Sequence, residues 1–327
     1  MAGNRTLTIF LPALVAITAG VVLFKQFRQT NTKEEIRPLV DTTVFGSVDR
    51  IALEHNSKKV VLKKNEQNEW AIESDQGFSA DAKKISQFLD GLNASKIERT
   101  VVKKAEKVEE YGLGAAAPKI ALESKGKSLL ALELGESRSG GGQFIKFSDK
   151  DSVFLATAAV STDLDVDHWA YKTLLKIPKK EIQTITWQEG KNLTKSVTYS
   201  RKAEADKFEL SPAKSDLKEE KFTQLMDSLE NLSFEKRKER ADQAIASALA
   251  APSRRVTLNL FDGRKVTLTS AVPPSEKGGL IPMDVSVESD PKSGKTIPTK
   301  LAEEMTRISD VNKKYFFLFP ARVASGN

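Results

Sequence analysis

"KISQFLDGLNASKIER", from Lys84 to Arg99, and "KFTQLMDSLENLSFEK", from Lys221 to Lys236, are one amphipathic phrase written twice. The apolar positions of the first copy are Ile85, Phe88, Leu89 and Leu92; those of the second are Phe222, Leu225, Met226 and Leu229. Both sets follow the i, i+3, i+4, i+7 spacing that gives a helix one buried stripe. The polar positions agree too: Ser86 with Thr223, Gln87 with Gln224, and Asp90 with Asp227. Ser79 and Asp216 stand where N-caps are expected. Asp216 has Glu219 three residues on, a capping box, where the first copy has Ala82. Periodicity is common to all amphipathic helices, but matched polar residues and caps point to a duplicated unit.

The flanking sequence repeats in the same order. Before the first helix, "VDRIALEH", "KKVVLKK" and "EWAIES" read as strands separated by Asn- and Ser-bearing turns. After it, "KVEEYGLG" reads as a short helix ending at a glycine turn. Two strands then meet at "KGK", and "QFIKFS" and "DSVFLAT" form a hairpin about "DKD". Around the second helix, "IQTITWQ", "KSVTYSR" and "KFELS" supply three strands. "IASALAAPSRRVTLNLFDGRKVTLTS" supplies a turn, a proline and a hairpin at Asp262-Gly263. "PMDVSVES" continues the sheet, while "VPPSEKGG" and "SDPKSGK" read as loops. The tail "DVNKKYFFLFP" is matched to "DVDHWAYKTLLKIP". Residues 45–165 are therefore expected to superpose on 181–319, with each helix covering one antiparallel sheet because its stripe is too broad to leave in water.

Composition fits this picture. The 327 residues suffice for two ordinary domains. The net charge of +7 comes from 51 basic and 44 acidic side chains scattered as in "RKAEADKFEL", which describes a solvated surface and no nucleic-acid footprint. The absence of cysteine excludes disulfides, acylation on Cys and thiolate chemistry.

The N-terminus departs from the rest. "LTIFLPALVAITAGVVLF", Leu7 to Phe24, holds 18 residues without a charge, between Arg5 and the pair Lys25 and Arg28. That length of helix covers a hydrocarbon core, and the apolar run continues past the small-residue cluster "TAG", which argues for an uncleaved anchor over a signal peptide. The basic flank (Lys25, Arg28, Lys33, Arg37) leaves the bulk in the cytoplasm by the positive-inside rule, a weak rule for long domains.

Catalytic motifs fail individually. "SGKT" at Ser293–Thr296 has Ser289 where a phosphate loop needs its leading glycine, and Pro298 where it needs a helix. Ser137 in "GESRSG" lacks the nucleophile elbow. Asp163, Asp165 and Asp167 have calcium-loop spacing, but His168 replaces the required glycine and Leu174 the required glutamate. His55 and His168 have no metal or triad frame. Gly140, Gly141 and Gly142 read as a turn, and Trp70 as a lid on the core. No catalytic, cofactor-binding or metal residue is assigned.

The stretch from "VDRIALEH" through "EEYGLGAAAPKIALESKGKSLLALELGE" resembles the bacterial domain of unknown function 4340 (DUF4340) family. Its most recognisable parts are Tyr111, Gly112, Leu113 and Pro118, with Leu134-Gly135; "VFLAT" and "DHWAYKTLL" also fit. The resemblance covers residues 45 to 190 well and the second copy weakly, since Leu249 and Pro252 lack the tyrosine and glycine. It implies membrane-anchored proteins projecting outside the cytoplasmic membrane, often encoded beside an ABC-type transport system similar to that of gliding-motility proteins. It implies no catalytic residue.

The resulting expectation is an α+β protein: an N-terminal transmembrane helix (1–28), a linker (29–44), a first repeat unit (45–178) and a more divergent second one (179–327). It sits single-pass in a bacterial inner membrane with its bulk periplasmic, touching the bilayer through residues 7–24. It acts as a non-enzymatic scaffold without cofactor, with ABC-type membrane subunits or an auxiliary gliding-motility-like protein as partners. The alternatives are an envelope hydrolase of unrecognised type and an anionic-surface or nucleic-acid binding module.

Overall fold

A computed structural model describes residues 36–158, 160, 162–212, 219–271 and 279–320. The chain divides into two compact units, Met1–Phe78 with Ala82–Asp165, and Ser79–Asp81 with Val166–Asn327.

The first unit opens with β1 (Arg37–Pro38), a 3-10 turn (Thr42–Ser47), β2 (Arg50–His55), β3 (Lys58–Lys64), β4 (Trp70–Ile72) and β5 (Phe78–Ser79). Helix α1 (Ala82–Ala94) follows. Then come β6 (Lys96–Val102), β7 (Lys119–Ser124), β8 (Lys127–Ser137), β9 (Gln143–Phe147) and β10 (Val153–Ala156). Their order in the sheet is β1-β6-β10-β9-β8-β7-β2-β3-β4-β5. Alternation decides which face is buried: Ile51 and Leu53 on β2 are sealed from solvent while Glu54 is exposed. Ile51 lies opposite Leu62 and Leu122, and Leu53 opposite Val60 and Ile120. The same row continues through Leu132, Phe147, Leu134 and Ile145. Such directly opposed apolar pairs are the unit of sheet stabilisation.

The second unit begins with α2 (Val166–Trp169), β11 (Thr173–Leu175) and a 3-10 turn (Lys179–Glu181). Next come β12 (Ile182–Glu189), β13 (Lys195–Ser200), β14 (Glu209–Ser211), α3 (Glu219–Glu230), β15 (Leu232–Ser233) and β16 (Lys236–Glu239). It ends with α4 (Gln243–Ala250), β17 (Arg254–Leu260), β18 (Arg264–Ser270), β19 (Leu280–Ser289), α5 (Thr299–Lys314) and β20 (Tyr315–Pro320). The main sheet runs β14-β13-β12-β17-β18-β19-β20-β16, and β11 pairs with β15 beside it.

Strand for strand, these orders are the same. β6-β10-β9-β8-β7-β2-β3-β4 in the first unit becomes β16-β20-β19-β18-β17-β12-β13-β14 in the second. The correspondence extends to β1 on β6 and β11 on β15. In each unit the long amphipathic helix packs against the 3-10 turn that feeds the first long strand. Apolar partners also recur in register: Ile185 and Trp187 face Leu258 and Val256, as Ile51 and Leu53 face Leu122 and Ile120.

Several expectations are corrected. In place of the expected α+β fold the architecture is mostly antiparallel sheet, because short alternating segments outnumber helical ones. Residues 7–24 lie outside the described residues, and no helix among those described is long and apolar enough to cross a membrane. The transmembrane helix, the single-pass inner-membrane placement with periplasmic bulk, and the bilayer contact through residues 7–24 accordingly lose their support. Ser79 is no N-cap, since it ends β5 and α1 starts at Ala82; Asp216 lies outside the described residues. The tail "YFFLFP" is β20, whose counterpart is β10, whereas Thr173–Leu175 of "DHWAYKTLLKIP" corresponds to β1. "SDPKSGK" leads into α5, a helix missed because its inward residues are interleaved with charge.

Helix burial is unequal between copies. Ile85 and Leu92 are fully buried on α1 while Phe88 and Leu89 are half-buried; on α3, Leu225, Met226 and Leu229 are buried and Phe222 stacks on Tyr199 at 4.0 Å. Truncating Leu92 or Leu229 to Ala should cost about 2–5 kcal/mol in urea denaturation, and Leu89→Ala measurably less. Asp90→Ala should be near neutral, and Asp227→Ala should lose only the exposed bridge to Lys179, about 0–1 kcal/mol. At Gly135 a Cβ would run into the Tyr111 carbonyl oxygen. Gly135→Ala should therefore cost about 1–3 kcal/mol in the same assay.

Candidate functional site

In the first unit a groove of about 570 Å³ opens over residues 37–40, Ile97, the start of β8 at 128–131, and residues 147–150 at the end of β9. Strand alternation places Phe147 in its lining, where the ring meets that of buried Phe154 edge to face at 5.5 Å. Two cations from the groove's lining lie on these rings. The Lys150 ammonium is 4.6 Å from the Phe147 ring centre, and the Arg37 guanidinium is 5.7 Å from that of Phe154. A cation seated on a ring face keeps its charge directed outward while its stem covers apolar surface. Asp149 adds one carboxylate to the lining. This arrangement suits an apolar surface that carries acidic groups.

The second unit instead holds arginines closed on carboxylates. Arg264, almost wholly buried, places Nη2 2.8 Å from Asp262 Oδ2 and 3.1 Å from Glu181 Oε2, with Nη1 3.6 Å from Glu304 Oε2. Burial pushes the Glu181 carboxyl above its usual range; Arg264 opposes this, and the neighbouring Asp262 charge adds to it. Arg237, equally buried, donates from Nε to Asp167 Oδ1 at 2.6 Å and from its backbone N–H to Oδ2 at 3.0 Å. Arg240 grips Asp284 through both Nη atoms and lies 4.2 Å over Phe316. Buried guanidinium–carboxylate pairs are costly to break, because the abandoned partner stays buried.

The motifs weighed in the sequence have structural work. Ser293 Oγ donates to the Asp290 carbonyl and Lys295 Nζ to that of Phe261, so "SGKT" clasps the β17–β18 turn. Asp163 caps the Asp165 amide, Asp167 belongs to Arg237, and His168 lies edge-on to Trp169. Among the described residues no group of His, Cys, Asp or Glu is placed to hold a metal ion. Ser137 ends β8, His55 ends β2, residues 140–142 form the β8–β9 turn, and half-buried Trp70 receives Lys64 on its ring. The grooved site escaped the sequence reading because Arg37, Lys150 and Phe154 lie on three separate segments that only the sheet order gathers.

The tyrosine–glycine element is a packing device. A 3-10 turn, Val108–Tyr111, is closed by Gly112 at φ +70°, Leu113 is buried beneath it, and Tyr111 meets Phe144 edge-on at 5.1 Å. The Leu134 amide then donates to the Pro118 carbonyl at 2.8 Å, tying the turn to β8.

Glu181 supplies a pH test. Because its folded-state pKa is raised, the fold is penalised at neutral pH, and the penalty fades as pH falls towards the ordinary glutamate value of 4.5. The stability of the native chain relative to Glu181→Gln should thus rise on acidification from about pH 7 to about pH 4. A difference that stays flat in urea titrations would remove Glu181 as the group responsible.

Residues 70–268 match a family model, described as a domain of unknown function (DUF4340). No curated protein and no solved structure matches the chain. The matched span runs from β4 to β18 and holds both amphipathic helices, the Tyr111–Gly112 turn and the β8 strand on which it docks. As that span exceeds half of the 327 residues, the chain belongs to the DUF4340 family.

Proposed function

We propose that this protein is a non-enzymatic accessory or scaffold protein that works with an ABC-type transport complex. Its partners are that complex's membrane subunits or an auxiliary gliding-motility-like protein. The observation that carries the scaffold role is the repetition of one strand order in two units, which gives the chain two related sheet platforms in tandem. The polar chemistry is in keeping with it: Arg237, Arg240 and Arg264 are spent on intramolecular carboxylates, an arrangement that fixes shape. The choice of partner rests on the family resemblance.

Crosslinking of intact cells followed by purification of the chain tests this reading. Transport-complex subunits should be enriched over a control bait of similar charge. Recovery of no such subunit under conditions that capture a known complex would overturn the assignment. A hydrolytic activity that co-purifies with the pure chain and is lost on a point substitution would replace it.

A further inference from the structure

The units differ between their last two strands. The first unit joins β9 to β10 by a turn of residues 148–152, whereas the second inserts the whole of α5 between β19 and β20. What α5 covers can be carried back to the first unit through strand register. With Val48, Ile51 and Leu53 set against Ile182, Ile185 and Trp187, the pairing outward matches Leu122 to Leu258, Leu130 to Val266 and Phe147 to Val285. The helix phrase matches Lys96 to Ser233. Their strand partners are Pro38 and Thr173, so Leu39 corresponds to Leu174.

Three polar contacts hold α5 in place. Arg307 Nη2 donates to the Leu174 carbonyl at 2.9 Å, Asn312 Nδ2 donates to the Val285 carbonyl, and Glu304 faces Arg264 at the start of β18. Beneath it Ile308 is fully buried, with Leu301, Met305 and Val311 half-buried along the same stripe. The counterparts of those three anchor points are Leu39, Phe147 and the start of β8. All three line the open groove of the first unit. The groove is therefore the surface that a helix fills in the other copy of the fold.

We propose that the first-unit groove receives an amphipathic helix from a protein partner, with acidic residues beside its apolar stripe that pair with Arg37 and Lys150. The second unit supplies the precedent for the pairing, since Glu304 of α5 meets Arg264 there. Charge complementarity supplies the sign: the lining carries two cations, Arg37 and Lys150, each on an aromatic ring, against one carboxylate, Asp149. Helix-in-groove binding of this kind reads anchors at i, i+3, i+4 and i+7. The inference rests on the reading of the chain as an interaction protein and adds the surface and the chemistry of what it grips.

The test uses the full chain and a fluorescent peptide of residues 297–314 of this protein, which carries the α5 stripe with Glu303 and Glu304. Saturable one-to-one binding is expected, with amide-exchange protection at residues 37–40, 128–131 and 147–150. Arg37→Glu with Lys150→Glu should weaken binding at least tenfold, and a peptide with Glu303→Lys and Glu304→Lys should restore it. Arg37 and Lys150 are both exposed, so an unchanged melting curve confirms that the variant is folded. No saturable binding up to about 1 mM peptide, or protection falling on β18 and β19 through exchange with the resident helix, overturns the proposal. Peptide binding involves no transport subunit, so the groove and the transport-complex assignment fail separately.

Discussion

The constraint on which everything else depends is the row of apolar side chains that crosses each sheet through its first long strand. β2 lies between β3 and β7, and Ile51 and Leu53 present one pair of side chains to partners on both sides. β12 does the same with Ile185 and Trp187 between β13 and β17. A slip of one residue in either strand would turn every such side chain to the opposite face. Register is thereby fixed from the middle of each sheet outward, and the groove inherits its geometry from it. Phe147 and Phe154 reach the same face because Leu132 faces Phe147 and Ile145 faces Phe154.

Once the two copies had this frame, they diverged in what they placed on it. The second unit put arginines at strand starts and surrounded them with carboxylates from other elements, so that Arg264 ties together the β17–β18 turn, the 3-10 turn at Glu181 and α5. In the first unit Arg50 bridges Glu73 and Glu123, but Arg37 and Lys150 stand on aromatic rings at the surface. Closing a guanidinium on three carboxylates fixes neighbouring elements to one another, whereas a cation on a ring stays available to a newcomer. The shared strand order thus carries a helix-covered face in one copy and an open groove in the other.

Parts of this fold were legible in the sequence, though the α+β class expected from it was not the one found. The duplicated helix phrase, the hairpins at Lys125-Gly126 and Asp262-Gly263, and the order of strands around them follow from periodicity and turn chemistry. Three features were not. β1 and β11 are too short to carry an alternating pattern and exist only because β6 and β15 offer them an edge. α5 has its signal in Leu301, Met305 and Ile308, but Glu303, Glu304 and Arg307 interrupt it, and Pro298 reads as a loop residue although a helix starts directly after it. The membrane-spanning expectation rested on residues 7–24 alone, and nothing in the described helices supports it. The groove was invisible because its residues are brought together by sheet order, which spacing along the chain does not report.

The central place of β2 and β12 also bears on how the chain is made. During synthesis β2 can pair with β3 at once, but its other edge stays bare until β7 has emerged, and β12 waits in the same way for β17. Bare edges in a tandem repeat invite the wrong copy, since β2 and β17, or β12 and β7, offer compatible hydrogen bonds. Side-chain size guards against this exchange. Trp187 occupies the position of Leu53, so β12 beside β7 sets an indole against Ile120 where a leucine belongs, and β2 beside β17 leaves Val256 without the indole it faces in the native sheet. Divergence between the halves thereby makes either cross-copy pairing a poorer fit than the native one.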